Sequence, residues 1–177
     1  MSKLFDRLNF GVEWLFYKGR ELFSPPEKKL REIGIQPGWS VMDFGCGIGS
    51  YSLVAAKLVG EKGTVYAIDI KPAAANYVKT LAAKKGLTKI QTIITDCDTG
   101  LASGVVDVVL LYDVFHDLEQ PVKVMNELAR VLKPGGILSF SDHHMKDNEI
   151  LSKITAGGKY TLQRKGNLTY TFIHAGS

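Results

Sequence analysis

The sequence has few cysteines, no long apolar run and no signal-peptide pattern. Its 177 residues include only two cysteines, Cys46 and Cys97, too few for a disulfide framework or for a metal site built from several cysteines. The longest apolar strip, 105–115, is interrupted by two aspartates and falls short of the ~20 residues of a membrane span. Asp6 lies early in the N-terminus, where a signal peptide would be apolar. We therefore expect a cytoplasmic protein in a reducing compartment, with no membrane span.

The chain also lacks a strong excess of one charge. Its 22 lysines and arginines against 18 aspartates and glutamates give a formal net charge of +4. This permits an anionic ligand but falls short of the dense Lys/Arg clustering of nucleic-acid-binding proteins. With 45% hydrophobic and 23% charged residues, the composition is that of a globular protein, long enough for a single domain with a buried core.

Short β-rich runs alternate with helical patterns from Trp39 onwards. Several of the strand runs are almost continuously apolar, which is typical of strands buried on both faces of a parallel sheet. After residue 141 the pattern predicts one more helix, 147–156, and an antiparallel hairpin around a Gly/Asn turn. The other predicted elements are strands 40–44, 64–68, 90–95, 106–111, 136–141, 160–164 and 168–174, and helices 50–59, 72–85 and 120–132.

The first 40 residues differ from this alternation. They contain an aromatic segment with Phe10, Trp14 and Tyr17. The following Ser-Pro-Pro-Glu predicts a helix that starts at Pro25, is capped by Ser24 with Glu27 completing a capping box, and stops before Gly34. We expect one domain, 1–177, made of this N-terminal segment, 1–40, and a core, 41–174.

A glycine turn follows the first predicted strand. Gly45, Gly47 and Gly49 allow the backbone to bend tightly and to approach a ligand closely. A dinucleotide fingerprint requires glycine where Ser50 stands, which disfavours an NAD(P) site, and no Gly-Lys-Ser/Thr follows, which excludes a P-loop. Asp69 ends the second predicted strand, where a carboxylate can accept hydrogen bonds from both hydroxyls of a ribose. Its alternative role is to cap the following helix.

Five motifs, in this order, resemble those of class I S-adenosylmethionine-dependent methyltransferases. They are DFGCGIG at 43–49, AID at 67–69, TDC at 95–97, VDVVLLYD at 106–113 and LKPGG at 132–136. The resemblance covers residues 24–174 and is closest to the small ubiquinone/menaquinone-biosynthesis-type (methyltransferase type 11-like) group. It implies a Rossmann-like, doubly wound α/β sheet of seven strands, mostly parallel with an antiparallel C-terminal hairpin strand, and helices on both faces. It also implies S-adenosyl-L-methionine as cofactor and S-adenosyl-L-homocysteine as product.

The resemblance implies which residues bind this cofactor. Asp43 would polarise the ammonium group of the methionine moiety, although a turn hydrogen bond is its alternative role. Asp69 would bind the ribose, Ile70 would lie against the adenine, and Asp96 would meet the adenine amino group. The other expected residues are Gly45, Gly47 and Gly49 beneath the methionine moiety, Tyr112 beside it, and Cys97 through its backbone N–H at an adenine ring nitrogen.

Methyl transfer requires an acceptor lone pair in line with the S–CH3 bond, and a base only where the acceptor must lose a proton. The candidate catalytic residues lie after the fourth and fifth predicted strands and are Asp113, His116, Asp117, Asp142, His143 and His144. The two leading candidates are Asp113 and His116, and His116 matches a histidine often present in this group. Helix packing or capping is the alternative role of His116. His143 and His144 suggest a metal site, but adjacent residues on a strand point to opposite faces. We therefore expect no metal.

The acceptor is not specified by these motifs. We expect a small or lipid-like molecule, because the chain shows no appended substrate domain, and the aromatic segment is then a candidate lid. Core packing, a homodimer interface and peripheral membrane contact through residues 8–23 are its other interpretations. A nucleic-acid or protein methyltransferase is disfavoured by the modest charge and by the absence of an Asn-Pro-Pro-Tyr-type tetrapeptide after the fourth strand. A non-catalytic, cofactor-binding subunit that needs a partner stays open.

Overall fold

The structure is a computed structural model that describes residues 25–176. Seven strands and five α-helices alternate along this part of the chain, with a short 3-10 helix, Phe115–Asp117, after the fourth strand. The strands are β1 (Ser40–Phe44), β2 (Thr64–Asp69), β3 (Ile90–Ile94), β4 (Val106–Tyr112), β5 (Leu132–Ser141), β6 (Tyr160–Lys165) and β7 (Tyr170–His174). The helices are α1 (Pro26–Ile33), α2 (Ser50–Val59), α3 (Pro72–Lys84), α4 (Pro121–Val131) and α5 (Asp147–Thr155).

All seven strands form one sheet in the order β3-β2-β1-β4-β5-β7-β6. Strands β1 to β5 pair in parallel, and β7 pairs antiparallel with both β5 and β6. The order reverses direction between β1 and β4, which makes their carboxyl ends the switch point of the sheet. The predicted fold class, mostly parallel with an antiparallel C-terminal hairpin, is confirmed. No helix within residues 25–176 is long and apolar enough to cross a membrane.

The continuous apolar runs of the central strands place buried side chains on both faces of the sheet. In β4, Val109 and Leu111 join the apolar cluster that contains α4 and α5, whereas Val108 and Leu110 join the one that contains α1 and α2. All four side chains are fully buried. Helices therefore cover both faces, as the apolar runs predict.

Among the element boundaries that differ from the sequence prediction, two have clear local reasons. Helix α1 begins at Pro26, one residue later than predicted, and Pro25 is extended (φ −58°, ψ 135°) because a residue that precedes proline is disfavoured in the helical region. Ser24 lies outside the described residues. Strand β5 begins at Leu132, because that residue pairs with Val106 before an irregularity carries the pairing on to Ile137.

Helix α1 is joined to the β6–β7 hairpin through Glu32. The Glu32 carboxylate accepts hydrogen bonds from the backbone N–H groups of Asn167 (3.2 Å), Leu168 (3.2 Å) and Thr169 (3.1 Å). It also accepts one from the Thr169 hydroxyl at 2.9 Å. A single anionic side chain thus provides the acceptors for a whole turn, because successive N–H groups of the turn point to one side.

We expect Glu32→Ala to lower the free energy of unfolding by about 2–3 kcal/mol, since hydrogen bonds to a charged group contribute about 1.5–3 kcal/mol and their donors would lose a protein partner. Urea unfolding at pH 7 measures the change. The matched control is Glu61→Ala, an exposed glutamate in the turn before β2, for which we expect a change within about 0.5 kcal/mol. Equal effects of the two substitutions would contradict the role of Glu32.

Candidate active site

A cavity of about 270 Å³ opens at the carboxyl ends of the parallel strands, beside the switch point between β1 and β4. Open α/β sheets bind ligands at this position because the connections from neighbouring strands diverge there. Its walls come from the segments that follow β1, β2, β3 and β4. The residues predicted from the sequence that line it together are Gly45, Gly47, Asp69, Ile70, Asp96, Cys97 and Asp113.

The glycine loop after β1 forms one wall of this cavity. Gly45, Gly47 and Gly49 have φ angles of 78°, 51° and 78°, in the left-handed region that favours glycine. The backbone N–H of Gly45 donates to the carbonyl of Ile68 (2.8 Å), and that of Gly47 donates to Oδ2 of Asp69 (2.9 Å). These bonds tie the loop to the end of β2 and bring the glycine backbone and the Asp69 carboxylate to the same cavity.

Two further features concern the loop and the helix that follows it. A Cβ atom at Gly45 would lie 2.3 Å from Cγ2 of Val114, which also lines the cavity, so the loop packs against Val114 only with glycine at this position. At the start of α2, the Ser50 hydroxyl oxygen is buried and has no hydrogen-bond partner within the described part of the chain, but Ser50 does not line the cavity.

Asp69 and Ile70 form the adjacent wall. The second oxygen of Asp69, Oδ1, accepts a hydrogen bond from the backbone N–H of Lys71 at 2.9 Å, so both carboxylate oxygens are held in place while each keeps a lone pair for a ligand hydroxyl. The side chain of Ile70 is 62% exposed. A fixed acid next to an exposed apolar side chain fits a ribose that carries a flat base.

The third wall follows β3 and contains Asp96 and Cys97. Asp96 is exposed, and Cys97 is buried and free of any disulfide. The Cys97 backbone N–H donates to Oγ1 of Thr95 at 3.2 Å. Burial raises the pKa of the Cys97 thiol, which is typical of a packing residue and unfavourable for a nucleophile.

Three residues predicted to bind the cofactor do not line this cavity. Asp43 faces α2, where its Oδ2 accepts a hydrogen bond from the Ser52 hydroxyl at 2.5 Å, and burial raises its pKa to about 6. The Tyr112 hydroxyl shares a 2.7 Å hydrogen bond with Ser139 on the same face of the sheet. Gly49 caps the start of α2. Residues alternate between the faces of a strand, so the end of a strand does not bring every side chain to one cavity.

On the other side of the switch point, two aspartates and two histidines form crossed pairs. Oδ1 of Asp113, directly after β4, accepts hydrogen bonds from the backbone N–H (3.1 Å) and Nδ1 (2.7 Å) of His143. Oδ2 of Asp142, directly after β5, accepts them from the backbone N–H (3.1 Å) and Nδ1 (2.9 Å) of His116. Each aspartate thus holds the histidine of the other loop. Asp113 has a φ of 55°, an unusual conformation for a residue with a side chain, typical of functional sites.

A second cavity, of about 330 Å³, lies next to the first and shares Asp113 with it. Lys29 of α1 reaches this cavity, with its Nζ 2.7 Å from the Ser141 hydroxyl and 3.8 Å from Oδ2 of Asp113. The ammonium group also lies 4.8 Å from the ring centre of Tyr112, within the range of a cation–π interaction. The sequence analysis missed Lys29, because nothing in an amphipathic helix marks one lysine as reaching the end of the sheet.

His143 and His144 do not have the geometry expected from the sequence. They lie in a turn after β5, with ring centres 3.9 Å apart, so the expectation that they point to opposite faces of a strand is wrong. Asp113, Asp142 and His143 each offer a ligand atom, and these atoms lie within 4.8 Å of one another. Nδ1 of His143 and Oδ1 of Asp113 are joined by a hydrogen bond of 2.7 Å. The absence of a metal stays a prediction.

A family model described as a methyltransferase domain matches residues 35–176. The chain belongs to this methyltransferase domain family. The resemblance to class I S-adenosylmethionine-dependent methyltransferases is thereby confirmed. A crystal structure of a SAM-dependent methyltransferase from Aquifex aeolicus superposes on this methyltransferase domain with a TM-score of 0.73 and 29% sequence identity, covering 85% of this chain and 87% of that one.

Two curated relatives of the methyltransferase domain are named for small molecules. Aklanonic acid methyltransferase DauC of Streptomyces sp. (strain C5) is 33% identical over 145 residues, 80% of this chain and 64% of that protein. Nocamycin O-methyltransferase of Saccharothrix syringae is 33% identical over 123 residues, 67% of this chain and 43% of that protein. The chain therefore spans between 43% and 64% of the length of these relatives.

Proposed function

We propose that this chain is an S-adenosyl-L-methionine-dependent methyltransferase that transfers a methyl group to a small or lipid-like acceptor by direct in-line displacement. The observation that carries the proposal is the cavity at the switch point, where the glycine loop and Asp69 line one space in a methyltransferase-family sheet. The names of the two curated relatives support a small acceptor.

Each part of the cofactor would be held by different residues of the cavity. Gly45 and Gly47 would lie beneath the methionine moiety, Asp69 would accept hydrogen bonds from the ribose hydroxyls, and Ile70 would pack against the adenine. Asp96 and the backbone of Cys97 would hold the adenine edge, for which the Cys97 N–H would have to exchange Thr95 for the ligand. When bound, the cofactor supplies the electrophilic methyl group; the chain orients it and excludes water.

Asp113 is the residue that connects this cavity with the acceptor side, because it lines both the first and the second cavity. His116 lines a different cavity, of about 790 Å³, between α4 and α5, and its Nε2 lies 3.4 Å from Oδ2 of Asp117. Of the two candidate catalytic residues, Asp113 is therefore the better placed. A catalytic role for His116 stays a prediction from the sequence.

Incubation with trideuteromethyl-labelled S-adenosylmethionine and an extract of small molecules tests this proposal. We expect a mass increase of one labelled methyl group in a small organic molecule, together with S-adenosylhomocysteine. Label found in ribosomal RNA or protein instead would support the alternative, a methyltransferase of macromolecules. Cofactor binding without any labelled product would point to a non-catalytic subunit and would overturn the proposed activity.

We also propose that the protein works in the reducing environment of the cytoplasm, where Cys46 and Cys97 would stay free. Both are buried and unpaired in the structure. The lid, homodimer and membrane interpretations of the N-terminal aromatic segment, including contact through 8–23, concern residues outside the described range and stay predictions.

The raised pKa of Asp43 leads to a pH dependence of cofactor binding. Asp43 does not line the cavity, but its charge interacts with that of Asp69, which does. Its carboxylate would therefore attract the methionine ammonium group at longer range, and protonation near pH 6 would remove this attraction. Because burial raises the pKa of Asp43 to about 6, we expect the Kd for S-adenosylhomocysteine to rise about tenfold between pH 7 and pH 5. Calorimetric titration at several pH values measures this change.

Asp43→Asn is the control for this dependence, because it keeps an acceptor for Ser52 but has no charge to lose. We expect weak binding and a flat pH profile for the variant. Protonation of Asp43 weakens cofactor binding but stabilises the fold. Because the folded-state pKa of Asp43 is raised from 3.8, its stabilising contribution to folding is fully present below about pH 4. That contribution is lost as the pH rises through about 6. Identical pH profiles of Kd for the wild type and Asp43→Asn would show that Asp43 has only a structural role.

A further inference from the structure

In the crossed pairs an aspartate holds Nδ1 of each histidine, and Nε2 of His116 also lies 3.4 Å from Oδ2 of Asp117. A carboxylate only accepts hydrogen bonds, so Nδ1 of His143, 2.7 Å from Oδ1 of Asp113, must carry its proton in this contact. The neutral ring then presents an unprotonated Nε2, which can accept a proton. The side chain of Asp113 is only 10% exposed, so it fixes both the tautomer and the orientation of His143.

The location of the cavities distinguishes His143 from His116. His143 lines the second cavity together with Asp113, and Asp113 also lines the cavity assigned to the cofactor. His116 lines the separate cavity between α4 and α5. His143 is therefore the histidine that lines a cavity adjoining the one assigned to the cofactor.

The lining of the second cavity indicates the chemistry of its occupant. Tyr51 and Tyr170 contribute aromatic rings, Lys29 contributes an ammonium group, and Asp113, Asp142 and Asp147 contribute carboxylates. The ammonium group lies 3.8 Å from Oδ2 of Asp113 and balances only part of this negative charge, so the lining favours a hydroxyl in its neutral form, which needs a base to lose its proton. Aromatic side chains favour a flat ring as its carrier. These features together fit a phenol or an enol.

We propose that His143, held by Asp113, is the general base for a weakly acidic hydroxyl acceptor, a phenol or enol, bound in the second cavity; this deepens the proposed function and rests on it. The hydroxyl proton passes to Nε2 of His143. The oxygen lone pair forms the bond to the methyl carbon while the C–S bond breaks, and its electron pair stays on sulfur, which becomes a neutral thioether. Asp113 stabilises the resulting imidazolium of His143. The side chain of His143 is 55% exposed, so the ring then releases the proton to water.

Two model acceptors of different acidity test this assignment in the full chain at pH 8. 4-Methylphenol is protonated there, since phenols of the tyrosine type have a pKa of about 10, whereas 4-nitrophenol is largely ionised. We expect His143→Gln to reduce kcat for 4-methylphenol at least about 100-fold, the range of general-base catalysis, and to change kcat for 4-nitrophenol less than about threefold. A purely structural role would lower both rates equally.

The control is His144→Gln, which removes the neighbouring ring, 3.9 Å away, without touching the His143–Asp113 pair; we expect wild-type rates with both phenols. A selective loss with His116→Gln in place of His143→Gln would overturn the assignment. So would failure of the wild type to methylate either phenol while it binds S-adenosylhomocysteine. Absence of S-adenosylhomocysteine binding would instead refute the proposed function, so the two failures are distinguishable.

Discussion

Replacing Asp69 with alanine is expected to raise the Kd for S-adenosylhomocysteine by about 100-fold or more. Both Asp69 oxygens are held by backbone N–H groups, of Gly47 and Lys71, at the wall of the cavity. Two charge-assisted hydrogen bonds to ribose hydroxyls would be lost, each of about 1.5–3 kcal/mol, and 100-fold corresponds to about 2.8 kcal/mol. Isothermal titration calorimetry measures the change.

Asp98→Ala is the matched control for Asp69→Ala. Asp98 also accepts a hydrogen bond from the backbone N–H two residues later, that of Gly100, at 3.0 Å, but it does not line the cavity. We expect its removal to leave the Kd within about twofold, because it removes the same kind of turn bond without touching the ligand. If Asp69→Ala folds and binds within threefold of the wild type, Asp69 does not bind the ribose.

Gly45→Ala is the second substitution from which we expect a large effect. Its φ of 78° already disfavours a side chain, and the added Cβ would lie 2.3 Å from Cγ2 of Val114. The loop or Val114 must therefore move, and both line the cavity. We expect the free energy of unfolding to fall by about 2–4 kcal/mol and the Kd for S-adenosylhomocysteine to rise at least about 30-fold, measured by urea unfolding and calorimetry.

Gly34→Ala separates backbone strain from the steric effect. Gly34 has a φ of 73°, and a Cβ there would meet nothing within 4 Å, so we expect a loss of about 1 kcal/mol and an unchanged Kd. Adding Val114→Ala to Gly45→Ala should recover much of the lost stability, because it removes the overlapping methyl groups. Equal losses for Gly34→Ala and Gly45→Ala, without rescue, would contradict the steric explanation.

The sheet was predictable from the sequence because its signals are local. Glycine and proline punctuate the chain between buried strands, and the predicted bounds of β1, Ser40–Phe44, and α2, Ser50–Val59, agree with the structure. Asp69 lines the cavity as predicted because it ends β2, the strand beside β1, and its carboxylate is joined to the glycine loop through the backbone N–H of Gly47.

The side-chain partners could not be predicted in the same way. The faces taken by Asp43 and Tyr112 depend on the phase of the alternation in each strand, which the motif alone does not specify. The pairing of Asp113 with His143 joins residues 30 positions apart, in loops whose conformations come from the packing of β4 against β5. Lys29 reaches the second cavity because α1 packs with α2 on one face of the sheet and is bonded to the β6–β7 turn, tertiary contacts that have no local signal.

The central claim is that the cavity formed by the glycine loop and Asp69 binds S-adenosylmethionine, and calorimetric titration with S-adenosylhomocysteine and with NAD⁺ tests it most directly. The account predicts saturable, one-to-one binding of S-adenosylhomocysteine, a Kd about 100-fold higher or more for Asp69→Ala, a Kd within about twofold for Asp98→Ala, and no heat from NAD⁺. Saturable binding of NAD⁺ without binding of S-adenosylhomocysteine would contradict it.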